Sequence, residues 1–335
     1  MQLRSVFLAC VLLVLSPESG AQRLSTLAPA PDWLQLEAFQ ETITREEFTD
    51  LLSQVYAPND AAKGLIDITP GAAVILKQLG APDTFTLRFA KDPASAKPIP
   101  RHWRPAASLG AAPSGKPLAG VKIAIDPGHL GGEWARMEER WFQLPAGQPV
   151  VEGDLTLRVA QLLAPRLSAL GAEVTLVRNA PAPTTRERPE TLREAARGEL
   201  ALRGVSTPRD DYNGPNDPTR GDTVRFLSEL LFFRSSEIRS RARVVNEQLR
   251  PDLVLCLHFN AEAWGDPVMP ALVPHNHLHV LVNGYFAAVE LRNDDVRFDM
   301  LLKLLSRSFH EELAASDMVV STLAREAKLP PYVYT

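Results

Sequence analysis

"IAIDPGHLGG" (123–132) decides the reading of this chain. An apolar run ends in Asp126, Pro127 and Gly128, and His129 follows at its tip. The run "VKIAID" is apolar on both faces, as a strand in the middle of a parallel sheet must be. Downstream, "DLTLRVAQLLAPRLSALG" (154–171) carries Leu155, Val159, Leu162, Leu163, Leu167 and Leu170 at helical spacing, with Gly171 placed to end it. Pro165 inside that pattern predicts a kink or a split. "AEVTLVR" (172–178) is the next strand, and strand–helix–strand makes a right-handed βαβ unit with parallel strands.

The same alternation continues. "IRSRARVVNEQLRP" (238–251) reads as a helix and "DLVLCLHFNA" (252–261) as a strand in which Cys256 packs as a small buried residue. "HLHVLVNGY" (277–285) reads as another strand and "FDMLLKLLSRSFHEEL" (298–313) as one helix. The predicted fold class is α/β, with a twisted, mostly parallel sheet flanked by helices. Residues 179–237 interrupt the scheme; too long for a structureless loop, they read as an inserted subdomain or lid.

Upstream lies a small α+β module, residues 22–90. "TREEFTDLLSQVY" (44–56) is a helix opened by Thr44 and Glu47 as a capping box. "GLIDITPGAAVILKQL" (64–79) gives two short strands around a turn, and "DTFTLRFA" (83–90) a third. Residues 91–120, rich in Pro and Ala, read as a linker. At the N-terminus, Arg4, the apolar "VFLACVLLVL" (6–15) and "SGA" (19–21) have the form of an export signal spanning 1–21. The reading is therefore an exported protein, periplasmic or extracellular and cell-wall associated, with no transmembrane segment in the mature chain. The net charge of −4 over 335 residues argues against a nucleic-acid partner. With Cys10 in the signal, Cys256 is left without an internal partner for a disulfide.

Two predicted strands end in histidine, His129 and His258. Parallel strands deliver their C-terminal ends to one crevice. Glu152 stands just before the helix that leaves the same end. Two histidines and a carboxylate are the donor set of a catalytic zinc site that leaves a fourth position for water.

These motifs, with "VEGDLTLRVAQLL", "LSALGAEVTLVR", "IRSRARVVN" and "PDLVLCLHFNA", resemble the zinc-dependent N-acetylmuramoyl-L-alanine amidases of the bacterial cell wall. The likeness covers residues 121 to about 261, weakly the remainder, and not 22–120. It implies Zn2+ held by His129, Glu152 and His258, peptidoglycan as substrate, and Ile238, Arg241 and Asn246 as a structural helix motif with Arg241 in a scaffold ion pair. Asn260 and His279 are candidate substrate-binding residues, and the alternating His275, His277 and His279 suit a polar groove better than a metal. A regulatory protein acting on the accessory module or the insertion is a further implied partner.

The sequence departs from that pattern in places. Leu130 stands between His129 and the two glycines, and the insertion 179–237 is unusual. The family's second catalytic glutamate has no counterpart: Glu290 and Glu326 lack its context. The catalytic base is therefore unassigned, and the expectation is that the domain at 121–335 is C-terminally incomplete or that the base is supplied differently. The alternative to an amidase is a peptidoglycan-binding or regulatory protein without turnover on the same fold; a zinc peptidase cutting other amides is a third reading.

Overall fold

The computed structural model describes residues 22–144, 147–260 and 276–332. The chain divides into two compact units. The first comprises Ala30–Lys97 and Tyr285–Leu302, with the strip before Ser25. The second comprises Ser25–Pro29, Pro98–Gly284 and Lys303–Thr335.

In the first unit, Thr44 caps helix α1 (Arg45–Leu51) by accepting the Glu47 amide at 3.2 Å, and a π turn, Leu52–Tyr56, extends it. Strands β1 (Ile66–Ile68), β2 (Ala72–Leu76) and β3 (Thr84–Arg88) form an antiparallel sheet in that order. Alternation is strict in β3, where Phe85 and Leu87 are buried and Thr84, Thr86 and Arg88 are exposed. The strip 285–302, which reads in the sequence as part of the later domain, clusters with this unit. Its buried Arg297 explains part of that attachment, donating to the carbonyls of Leu76 and Lys77 at 2.8 and 2.9 Å and to Asp294 at 2.9 Å.

The second unit is built on a parallel sheet. Strand β4 (Lys122–Pro127) lies in the middle. A short antiparallel ribbon, β5 (Trp141–Phe142) with β6 (Val150–Val151), leads into helix α2 (Glu152–Ala169). The chain returns as β7 (Glu173–Leu176) on one side of β4. Helix α3 (Arg193–Leu202) and helix α4 (Val224–Leu230) follow. Helix α4 runs on through a π segment, Leu231–Glu237, into α5 (Ile238–Arg243) and a second π segment, Val244–Leu249. Strand β8 (Leu253–Leu257) then pairs with the other side of β4. Helix α6 (Ala288–Leu291) precedes α7 (Asp294–Ser306), which passes from the first unit to the second, and α8 (Phe309–Ala327) follows. The mixed α/β class read from the sequence is the class observed. Among the described residues no helix is long and apolar enough to cross a membrane.

Several local expectations are corrected. Pro165 sits inside α2 without breaking it. The carbonyl it leaves unpaired, on Gln161, lies on an exposed turn where water can take its place. The face of α2 against the sheet is Ala160, Leu163, Ala164 and Leu167, packed with Ile123, Ile125 and Ala172. Leu155, Val159, Leu162 and Leu170 are exposed, so only two members of the predicted stripe face the core. Leucine spacing alone cannot tell which of two apolar faces the sheet will cover. The segment 277–285 is not a strand: Leu278 exchanges backbone hydrogen bonds with Pro330 and Tyr332 and nothing longer forms. The single helix expected at 298–313 breaks at Arg307, which turns left-handed (φ 55°), giving α7 and α8. Cys256 is exposed rather than buried: with Val254 it lies on the face of β8 opposite Leu255 and Leu257, which pack on the core under α2.

The insertion has its own core. Leu192, Ala196, Leu200, Val224, Leu227, Leu231 and Phe232 pack together, and Leu130 is buried among them. Leu130, which stands between His129 and the two glycines, thus docks the insertion onto the histidine loop. Trp134, four residues on, adds a ring contact with Phe232 at 5.3 Å. Burying a leucine of this kind is worth about 2 kcal/mol.

Candidate metal centre

β4 and β8 are parallel neighbours in register, with Pro127 opposite Leu257. One further bond carries that pairing past the strand ends, from the Gly128 amide to the Leu257 carbonyl at 2.8 Å. His129 and His258 therefore leave the sheet side by side, their rings 4.9 Å apart and nearly perpendicular. Gly128 is required at this point, since a Cβ on it would lie 2.4 Å from the His258 ring and 2.5 Å from the Leu257 carbonyl oxygen. His129 itself takes a left-handed conformation, φ 56°, uncommon for a residue other than glycine.

Glu152 arrives from the first turn of α2. Its Oε1 stands 3.4 Å from His129 Nε2 and 3.4 Å from His258 Nδ1, and also accepts the Phe259 amide at 2.9 Å. Burial pulls its pKa up, but the His258 and Phe259 hydrogen bonds and the two histidines outweigh this and hold it below the usual carboxylate range. Gly153 lets the helix start close: a Cβ there would meet the Leu130 carbonyl at 2.2 Å.

The network around His129 assigns its proton. Nδ1 lies 2.8 Å from Glu138 Oε1, and Arg140 Nε donates to Nε2 at 3.3 Å. A guanidinium cannot accept, so Nε2 carries the lone pair and Nδ1 the hydrogen, which goes to Glu138. Glu138 Oε2 meanwhile accepts the Leu130 amide at 2.7 Å. A carboxylate holding the far nitrogen of a ligating histidine is the usual support of a metal site. Arg140 reaches the group because the β5–β6 ribbon sets it opposite Glu152, whose amide donates to the Arg140 carbonyl at 3.2 Å.

Two buried arginines hold the loop from below. Arg178, at the end of β7, donates to the carbonyls of Pro127, Gly128 and Gly153, and so ties the His129 turn to the start of α2. Burial, then the neighbouring Arg241, bring its pKa down to about 10. Arg241 donates to the carbonyls of Pro127 and His129, to Asp126 at 3.1 Å and to Glu237 at 2.7 Å. Burial pushes Asp126 up against the pull of Arg241 and Arg178. Removing one member of a buried pair such as Arg241–Glu237 costs about 3–5 kcal/mol, because the other charge stays buried.

His129, Glu152 and His258 thus converge, each offering one donor atom, all within 4.8 Å of one another. Donors about 2.0–2.1 Å from a common zinc ion stand about 3.3–3.4 Å apart along a tetrahedral edge. The two 3.4 Å separations from Glu152 Oε1 to the histidine nitrogens match that spacing, and the two histidine donors lie within 4.8 Å of each other. The donor set, the tautomer of His129 and the spacing all suit zinc. No family model, no curated protein and no solved structure matches this chain.

The other sequence candidates lie elsewhere or play other parts. Asn260 is exposed just beyond β8. His279 stacks on Tyr332 at 4.4 Å, with His277 beside it, and does not belong to the three-residue group. His275 is outside the described residues. Glu290 accepts the Ala287 amide at the start of α6, and Glu326 pairs with Arg325. Sequence reasoning missed Glu138, Arg140 and Arg178. Arg178 left a signal, a cation ending an apolar strand at the same sheet edge as His129. Glu138 and Arg140 left none, since "EWARMEERW" offers several equivalent charges.

Proposed function

We propose that this chain is a zinc-dependent amide hydrolase of the N-acetylmuramoyl-L-alanine amidase type, exported and acting on peptidoglycan. The observation that carries this reading is the convergence of His129, Glu152 and His258 at one edge of a parallel sheet. Zinc held there supplies a water of lowered pKa and polarises the scissile carbonyl.

The chain's own residues prepare that site. His129 presents Nε2 because Glu138 holds Nδ1, and Glu152 is held by the Phe259 amide. Arg178 and Arg241 grip the backbone on which His129 stands. Arg140, half-exposed beside Glu152, is a cation within reach of an anionic group on a substrate.

The test uses the mature protein with zinc and purified peptidoglycan. Mass spectrometry should detect free stem peptides beginning with L-alanine, and His129→Ala should abolish both their release and the bound zinc. Release by His129→Ala at the wild-type rate would sink the assignment. The second reading, a wall-binding protein without turnover, draws on one observation. Glu138, the carboxylate adjoining the group, is committed to His129 and the Leu130 amide, and so is not free to act as a base. Zinc and peptidoglycan binding without product would establish it.

A further inference from the structure

Away from the histidines, the insertion and the helix following it enclose a cleft of about 440 Å³. Arg186 comes from the loop after β7, and Arg239 and Arg243 from one face of α5. Thr184, Thr185, Ser236 and Ser240 also line the cleft. Glu187 is the single acid in the lining, and its Oε2 accepts the Thr191 hydroxyl.

The loop beneath the cleft is held rigidly. Glu237, buried, accepts the Thr184 amide at 2.8 Å, the Thr184 hydroxyl at 3.1 Å and the Thr185 amide at 3.0 Å. Thr185 and Ser236 share a buried hydrogen bond at 2.8 Å. By contrast, the guanidinium groups of Arg186 and Arg243 have no partner among the described residues. A cleft lined by two guanidinium groups with free donors, on a loop already held by Glu237, suits a bound oxyanion, which takes up those donors.

We propose that this cleft is an oxyanion-binding site, taking a phosphate or carboxylate group between Arg186 and Arg243. None of the residues lining the cleft is a candidate metal ligand, although Glu237 supports both places, through Thr184 and Thr185 here and through Arg241 at the metal centre.

The test is isothermal titration calorimetry of the full mature protein in chloride buffer, with inorganic phosphate and with glutarate as separate probes. Saturable one-to-one binding of at least one probe is expected, and which one binds names the group. The double variant Arg186→Ala/Arg243→Ala should weaken binding by about tenfold or more. Arg158→Ala, an exposed arginine on α2, should leave it unchanged. Arg243→Gln alone, milder for folding, should weaken it in the same direction. Failure of both probes to bind the wild type would overturn the proposal. So would wild-type affinity in the double variant, or equal weakening by Arg158→Ala. Zinc content measured on the same samples keeps this outcome separate from that of the metal centre.

Discussion

Replacing Glu138 by alanine should weaken zinc binding without dissolving the fold. Two hydrogen bonds are lost, from His129 Nδ1 at 2.8 Å and from the Leu130 amide at 2.7 Å. His129 then loses the group that assigns its tautomer and fixes its ring. Removing such a support lowers metal affinity by about 10- to 100-fold, or about 1.4 to 2.7 kcal/mol. A separate cost falls on the metal-free protein. Hydrogen bonds to a charged group are worth about 1.5–3 kcal/mol, and here the Leu130 amide is left in a buried setting. Glu138→Gln should fall between the two, because its one oxygen can accept from only one of the donors while its amide faces the other. Zinc affinity is read by competition with a chromophoric chelator, and stability of the metal-free protein by urea denaturation. A folded Glu138→Ala protein with wild-type zinc affinity would refute the claim that Glu138 orients His129.

Gly128→Ala tests the close approach of the two strand ends. A Cβ placed 2.4 Å from His258 and 2.5 Å from the Leu257 carbonyl must push β8 away from β4, costing about 1–3 kcal/mol. Urea denaturation should show it, and zinc affinity should fall with it because His258 moves. Asp252 sets an acid limit: hydrogen bonds from Arg104 first, then from backbone amides, draw its pKa down to about 2. The folded value lies below the ordinary 3.8, so its contribution is fully present above that value and is lost as pH falls towards 2. The stability gap between wild type and Asp252→Asn, measured in urea at pH 5 and pH 3, should therefore narrow at the lower pH; a constant gap would count against it.

Much of the site was legible because its parts lie at positions that local rules mark. An apolar strand announces where it ends, and His129 and His258 each follow such an end. Glu152 precedes a helix whose start is equally plain. The parallel βαβ topology then leaves little freedom: neighbouring parallel strands must present their tips together. Local rules failed where a partner decides the outcome. Helix α2 has leucines on two faces, and only the sheet's position selects Leu163 and Leu167 over Leu155 and Leu162. The alternation at 277–285 satisfied a strand pattern, but no described sheet edge accepts it.

From sequence alone, then, came the α/β class, the small antiparallel module and the three donors, since each rests on periodicity or on strand order. Only the tertiary structure decided that Leu130 anchors the insertion and that Glu138 assigns the proton of His129. It alone showed that Arg178 and Arg241 clamp the turn. The physical reason is common to all of these. A buried polar group or an interrupting leucine draws its meaning from the atoms it meets, and those atoms come from segments far away in the chain.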